Sequence, residues 1–399
     1  MHYDYLIRGA RPFYADGLGE LSDFAIAGGR IAAVGQDLKG TAEKEIQAEG
    51  RLLLPSFVDS HTHLDKTLMG EDQDAPGLMA AIRICCEFEK EVPEEQIYEN
   101  VLQRSRRVAA WQVSHGTGFI KSHVIADDIW GLRSAAALKQ LQRELQGRAQ
   151  LALIVPWVKK YEAQLHEMAR QGEIDFVGGY PTLSPDYRES VDETFAFALQ
   201  YGLPIDLHVD ESDAANIDCF LYVLNKTIET GMQGRVSCGH VTALCAVDED
   251  TARKAVDLAA KANVHIIALP SCNMYLMGRN DRGLVRRGVT RVDEFLRAGV
   301  NASLASDNIR DPFRPFGNGD MLEEALFTAQ VLQYGTRGQM EEILRMTTYR
   351  PAANMLLQGY GLKEGCSADL VLLDSKDVRD AVISNAARLL ILKDGKEVL

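Results

Sequence analysis

No stretch of about 18 consecutive apolar residues occurs in this 399-residue chain, so no membrane span is expected. The first residues, Met1-His-Tyr-Asp-Tyr5, lack the basic-then-apolar pattern of a signal peptide. The seven cysteines are an odd number, scattered, with no Cys-x-x-Cys. That argues against a disulfide framework and for a reducing, cytoplasmic location, and it excludes a zinc site built on paired cysteines. Positive charge is scarce: the net charge is -14. Such a surface is a poor partner for nucleic acid or an anionic membrane. No Gly-x-Gly-x-x-Gly follows the first candidate core strand, which disfavours a dinucleotide-binding open sheet. Low-complexity tracts and short tandem repeats are also missing. What remains is an ordinary globular composition, 46% hydrophobic and 25% charged, in a chain long enough for one large domain and a smaller one.

The two ends of the chain look alike. Tyr5–Arg8, Phe24–Ala27 and Arg30–Val34 read as strands, the last two flanking the hairpin signal Gly28-Gly29. Near the other end, Ala368–Asp374 reads as a strand, and Leu389–Lys393 turns at Asp394-Gly395 into Lys396–Leu399. Neither end is large enough to be stable alone. Residues 1–55 and 359–399 are therefore expected to pair into one small β-sandwich, with residues 56–358 inserted between them.

The insert alternates strand and helix. Strand candidates are Ser56–His61, Gly118–His123, Leu151–Val155, Phe176–Tyr180, Ile205–Val209, Arg235–His240, Val264–Leu269 and Asn301–Ser306. Helical candidates lie between them: Glu94–Val113, Ser134–Leu145, Asp192–Tyr201, Thr251–Ala262 and Arg291–Ala298, the last with Thr290 as an N-cap and Gly299 as a stop. Eight apolar strands alternating with helices predict an α/β fold, a (β/α)8 TIM-like barrel.

In such a barrel, chemistry sits where strands end. His61 and His63 end the first strand, two residues apart and so on one side. His208 lies on the fifth strand with Glu211 at its mouth, His240 ends the sixth, and Asp307 follows the eighth. A single histidine in such a place is more often a hydrogen-bonded core residue than a ligand. Four of the nine histidines and an aspartate gathering at strand ends are not explained that way. His61, His63, His208 and Asp307 make a good donor set for one divalent metal ion, zinc or iron, with room left for water. The ion lowers the pKa of that water, and Glu211 is the natural proton carrier. The fourth strand, Phe176-Val-Gly-Gly-Tyr180, ends without lysine, so a carbamylated lysine bridging two metals is not available there.

Other residues weigh less. His115 and His265 sit near strand beginnings, and His2 and His166 look like surface residues. His123 ends the second strand and can line the pocket or serve structure. Cys85-Cys86 lies in an apolar helical stretch and reads as core. Arg282, Arg286, Arg287 and Arg291 read as a solvated loop. Trp157 can stack on a planar ring or merely pack the barrel top.

At these residues the chain resembles the amidohydrolase superfamily, and within it the cytosine deaminase branch, over nearly its whole length. The specific stretches are Phe57-Val-Asp-Ser-His-Thr-His-Leu-Asp65, His208-Val-Asp-Glu211, Gly239-His-Val-Thr-Ala243, Leu276–Val292 and Ser306–Met321. The resemblance implies that Glu211 moves a proton from water to a substrate ring nitrogen. It also implies that His240 and Asp307 hold the attacking oxygen and the tetrahedral intermediate, and that Asp307 helps the leaving amine gain its proton. Two positions depart from that branch. Val155-Pro156-Trp157 replaces a run with a pyrimidine-reading glutamine, and Asn308 replaces an aspartate, so Trp157, Asn308 and His123 are the candidate substrate-binding residues. Ser306–Asp311 and Pro315–Asp320 are similar instead to isopropylammelide aminohydrolases, which are in turn less like this chain at His208–Glu211. The expected activity is hydrolytic deamination of a small planar nitrogen heterocycle, cytosine or a close analogue. The alternatives are an s-triazine aminohydrolase or a cyclic-amide hydrolase, and more remotely a non-catalytic scaffold. A homo-oligomer is the expected assembly, with a small heterocyclic molecule as its partner.

Overall fold

A computed structural model describes residues 1–70 and 73–398. Eight parallel strands pair in chain order: β1 (Phe57–Thr62), β2 (Thr117–His123), β3 (Gln150–Pro156), β4 (Phe176–Gly179), β5 (Ile205–Val209), β6 (Val236–His240), β7 (His265–Ala268) and β8 (Asn301–Leu304). A parallel bridge between Thr62 and Asp307 joins the last strand to the first and closes the sheet. Asp307 N donates to His61 O at 2.9 Å, and Thr62 Oγ1 donates to Asp307 O at 2.8 Å. The closure therefore runs through two residues singled out for chemistry. Every residue of β1, β2, β4, β5, β6 and β7 is buried. Parallel strands covered on both faces need such unbroken apolar runs, which is why the sequence showed runs rather than alternation.

The covering helices carry one apolar stripe each. In Glu249–Ala262 the buried residues are Ala252, Ala255, Val256, Ala259 and Ala262, the three-and-four spacing of a helix laid on a sheet. Asp248 caps its first turn, accepting from Asp250 N and Thr251 N. One expected cap is absent. The helix before β8 runs Val292–Arg297 with Arg291 at its start, and among the described residues it has no side-chain cap and the buried Thr290 hydroxyl has no partner. Gly299 follows that helix at φ 80°, a left-handed turn that ends it.

The chain ends form a separate sheet system. Its central path runs Lys396–Glu397, Arg388–Lys393, Leu370–Leu373, Leu52–Pro55, His2–Tyr14, Ser22–Ala27 and Arg30–Gly35. The long strand His2–Tyr14 pairs with Ser22–Ala27 and Thr41–Gln47 along its first part and with Leu52–Pro55 through Arg11 and Pro12. A break in register between Ile7 and Ala10, with Gly9 at φ 59°, lets it pass from one layer to the other. The apolar run Leu52–Val58 is thus two strands, not one. Leu52–Pro55 belongs to the terminal sheet and Phe57–Thr62 to the barrel, with the change at Ser56.

Candidate active site

At the strand C-terminal ends the structure brings His61, His63, His208, His240, Glu211 and Asp307 together. His61 and His63 flank the closing bridge, and His63 lies one residue past β1. The Nε2 atoms of His63 and His208 are 3.1 Å apart. Asp307 Oδ1 lies 3.4 Å from His63 Nε2 and 3.7 Å from His61 Nε2. Such spacings suit donor atoms arranged around one cation. His61 Nε2 and both Asp307 carboxylate oxygens are buried and receive no hydrogen bond among the described residues. Leaving three converging acceptors unpaired is costly, and a divalent ion would satisfy them. Burial holds His61, His63 and His208 well below the usual imidazole range, so their lone pairs stay free for a metal.

Small residues make this convergence possible. A Cβ on Gly239 would lie 2.9 Å from His61 Cε1, so the glycine before His240 leaves room for the His61 ring. Asp307 and His240 adopt φ values of 57° and 67°. Side chains other than glycine seldom hold this left-handed backbone, and the barrel rim enforces it here. Asp59 helps to do so: its carboxylate accepts from Ser306 N at 3.1 Å, Ser306 Oγ at 2.5 Å and Gln112 Nε2 at 2.8 Å, tying β1 to the turn that carries Asp307. Burial pushes Asp59 up to about 6 despite these bonds.

A second layer stands behind the donors. Asp206 on β5 pairs with Lys121 on β2 at 2.5 Å, both wholly buried. Its Oδ1 lies 3.8 Å from His61 Nδ1 and 3.6 Å from His123 Nε2. His123 stacks among His61, His63 and His208, its Nε2 3.2 Å from His61 Nδ1. It is not among the residues bordering the cavity, and with His61 and His208 it forms a second group of converging ring nitrogens. The sequence reading missed Lys121 and Asp206 because a charged residue inside a strand gives no periodic signal. Its only trace is the interruption of an apolar run.

The cavity above the donors has a volume of about 240 Å³. His63, His208, His240, Glu211 and Asp307 form one part of its wall; helix α1 (Leu78–Glu91) and residues 125–127 form another. Glu211 Oε1 lies 3.3 Å from His240 Nδ1, and Asn273, in the short helix Pro270–Leu276, bonds both groups. Burial raises the Glu211 carboxyl well above the usual range, and the Asp307 charge raises it further.

Asn308 borders the cavity, but its Nδ2 is already given to Asp311 Oδ2 at 2.6 Å. Trp157 does not border it. Its indole packs on Phe197 and His166, and its Nε1 donates to Glu193 at 3.0 Å. The backbone after β3 turns the ring outward onto the helix Tyr187–Tyr201, so Trp157 is a packing residue. The aromatic rings at the cavity are Tyr180, its centre 4.4 Å from that of the His208 ring, and Phe313. Beside them, Lys66 places its ammonium 5.8 Å from the Tyr180 ring centre and 4.8 Å from that of Phe313. Cys85 is core as read, yet it also borders the cavity with Cys86. His265 is buried and bonds Asn301, while His166 is half-buried against Tyr201. Arg286 and Arg291 are held by Asp281 and Glu249.

The fold has close counterparts among known proteins. The chain is 29% identical to the N-isopropylammelide isopropyl amidohydrolase of Pseudomonas sp. (strain ADP) over 415 residues, covering 100% of this chain and 97% of that protein. It is 30% identical to the pterin deaminase of Rhizobium rhizogenes over 377 residues, covering 90% of this chain and 84% of that one. The crystal structure of 5-methylcytosine deaminase from Klebsiella pneumoniae, liganded with phosphonocytosine, superposes with a TM-score of 0.90 at 27% identity. That superposition covers 99% of this chain and 98% of that one. The pattern of the amidohydrolase family matches residues 44–161 and 158–399. Members of that family use a divalent metal, and the buried histidine–aspartate cluster described above is where one fits. With barrel, donor set and family pattern in agreement over nearly all its length, this chain belongs to the amidohydrolase family, hydrolases of carbon–nitrogen bonds.

Proposed function

We propose that this protein is a mononuclear metal-dependent aminohydrolase that deaminates a small planar nitrogen heterocycle, with cytosine or a close analogue first. The observation that carries the reading is the placing of Glu211. Its carboxyl is raised by burial, contacts His240 and Asn273, and shares one cavity with His63, His208 and Asp307. Zinc or iron held by His61, His63, His208 and Asp307 would supply Lewis acidity that brings the ionisation of water toward neutral pH.

The chain's own groups do the rest. Glu211 accepts a proton from the attacking water and passes it to the ring nitrogen as the water oxygen adds to the neighbouring carbon. The electron pair of the carbon–nitrogen double bond moves onto that nitrogen. With Nδ1 accepting from Asn273, His240 keeps its proton on Nε2 and donates a hydrogen bond to the new oxygen. Asp307 assists transfer of the remaining proton of the new hydroxyl to the exocyclic nitrogen. That carbon–nitrogen bond breaks, ammonia leaves and a carbonyl remains.

An s-triazine substrate is the second reading, favoured by the 29% identity to the isopropylammelide enzyme over the full chain. A cyclic-amide hydrolase is disfavoured because β4 carries no lysine.

The test is release of ammonia or amine by metal-loaded protein from cytosine, 5-methylcytosine, isocytosine, creatinine, ammeline and N-alkyl ammelides. Turnover is expected on at least one, and Glu211→Gln should lower kcat by about 10²-fold or more with metal retained. Activity on triazines alone selects the second reading. Near-wild-type turnover by Glu211→Gln overturns the proton-carrier assignment.

A further inference from the structure

The chemistry above engages the strand side of the cavity. The wall built by α1 and the loop after β2 carries two carboxyl groups that this chemistry leaves unused. Glu89, in the last turn of α1, is only 3% exposed and borders the cavity, and its Oε2 receives no hydrogen bond from any described residue. Asp127, from the loop after β2, borders the same cavity. Burial, and then Asp127, push Glu89 up to about 9.

The two acids come from different elements and are fixed relative to each other by one buried residue. Trp130 N donates to Asp127 Oδ1 at 2.7 Å, and Trp130 Nε1 donates to the Glu89 carbonyl at 3.0 Å. No lysine, arginine or histidine pairs with either acid among the described residues: Lys160 goes to Asp128 and Lys159 to Glu193. The Lys66 ammonium lies over the Phe313 and Tyr180 rings instead. Leu78, Ile82 and Ile125 give the surrounding wall its apolar surface.

Glu89 shares a hydrogen bond with Asp127, and its Oε2 is left as a rigidly held acceptor in an apolar wall, which discriminates between ligands. With the Glu89 proton shared with Asp127, Oε2 is satisfied by a ligand that brings an N–H donor, and the site disfavours the analogue lacking one. We propose that Glu89, with Asp127 beside it, is a specificity-determining residue that accepts N–H donors from a second amino or amidine edge of the substrate, one separate from the carbon being hydrolysed. The substrate class is then a diamino-oxo heterocycle in preference to a mono-amino one. This deepens the aminohydrolase reading and rests on it.

The experiment measures binding and is independent of turnover. Zinc-loaded Glu211→Gln protein is titrated calorimetrically with two matched pairs, ammelide against ammeline and cytosine against 6-aminocytosine. In each pair the second member carries the extra amino group. Asp127 is left intact because it also caps the loop through Ile129 N and Trp130 N. The expected result is at least tenfold tighter binding of the diamino member in one pair or both. Adding Glu89→Leu should abolish that preference while leaving the mono-amino Kd within about threefold, and Glu89→Gln, which keeps a carbonyl acceptor, should largely restore it. No preference in either pair, no binding of any of the four, or an equal loss on both members with Glu89→Leu overturns the inference. Failure of the aminohydrolase reading shows separately, as wild-type protein releasing no ammonia from any compound.

Discussion

Asn273 Nδ2 lies 2.9 Å from His240 Nδ1, an amide donor set against that ring nitrogen. In the tautomer with Nδ1 accepting, Nε2 is the donor, and it is buried at the cavity wall with no partner among the described residues. The same amide reaches Glu211 Oε1 at 3.3 Å, so one side chain contacts both groups to which the proposed mechanism gives the proton and the oxygen. Asn273→Ala is expected to lower kcat by about 10–100-fold with a smaller change in KM, because orientation matters most in the transition state. Metal content should stay at the wild-type level. Equal losses in kcat and bound metal would show instead that the short helix had collapsed.

Metal removal should be reversible and should register in stability. Dialysis against a chelator is expected to abolish turnover, and zinc or iron to restore it at about one equivalent. Free metal at a hundred times its Kd adds about 2.7 kcal/mol to folding, so thermal unfolding should shift upward on reconstitution. His63→Ala should lose both the activity and the shift, since its Nε2 stands 3.1 Å from that of His208 and 3.4 Å from Asp307 Oδ1.

The buried Lys121–Asp206 pair should be costly to halve and cheap to remove whole. Lys121→Met leaves Asp206 buried and unneutralised and is expected to destabilise the protein by about 3–5 kcal/mol, read from denaturant unfolding. The double variant Lys121→Met, Asp206→Leu should recover most of that loss. It should nevertheless stay impaired in metal affinity, because Asp206 also faces His61 Nδ1 at 3.8 Å.

Glu89 predicts a pH dependence with a definite sign. Its folded pKa, raised to about 9, exceeds the value of about 4.3 for an unfolded chain. Between those values the folded protein keeps a proton that the unfolded chain has lost. Stability therefore falls as pH rises, by up to about 1.4 kcal/mol per pH unit from this group. Glu89→Gln removes the titration. The variant should match wild type near pH 4 and become progressively more stable than it up to pH 9, as measured by denaturant midpoints across that range. Parallel curves would place an ionised Glu89 in the fold.

The sequence by itself determined the barrel and the gathering of candidate metal donors at its rim. Continuous apolar runs ending in His61, His208 and His240, with Asp307 after the eighth run, can be read linearly because strand ends and active-site rims coincide in this architecture. The exchange of sheets at Ser56 was hidden, since Leu52–Pro55 and Phe57–Thr62 are equally apolar and only pairing separates them.

Only the tertiary structure decided what surrounds the metal site. Trp157 turned out of the cavity and Tyr180 into it, a choice made by backbone direction after β3 and β4 that no local pattern encodes. Lys121, Asp206, Asn273 and Glu89 gained their roles through partners 85, 62 and 38 residues away, Asp206 for Lys121, Glu211 for Asn273 and Asp127 for Glu89. A charged or amide residue inside an apolar element has no periodicity to mark it, and its meaning is set by what the fold places opposite.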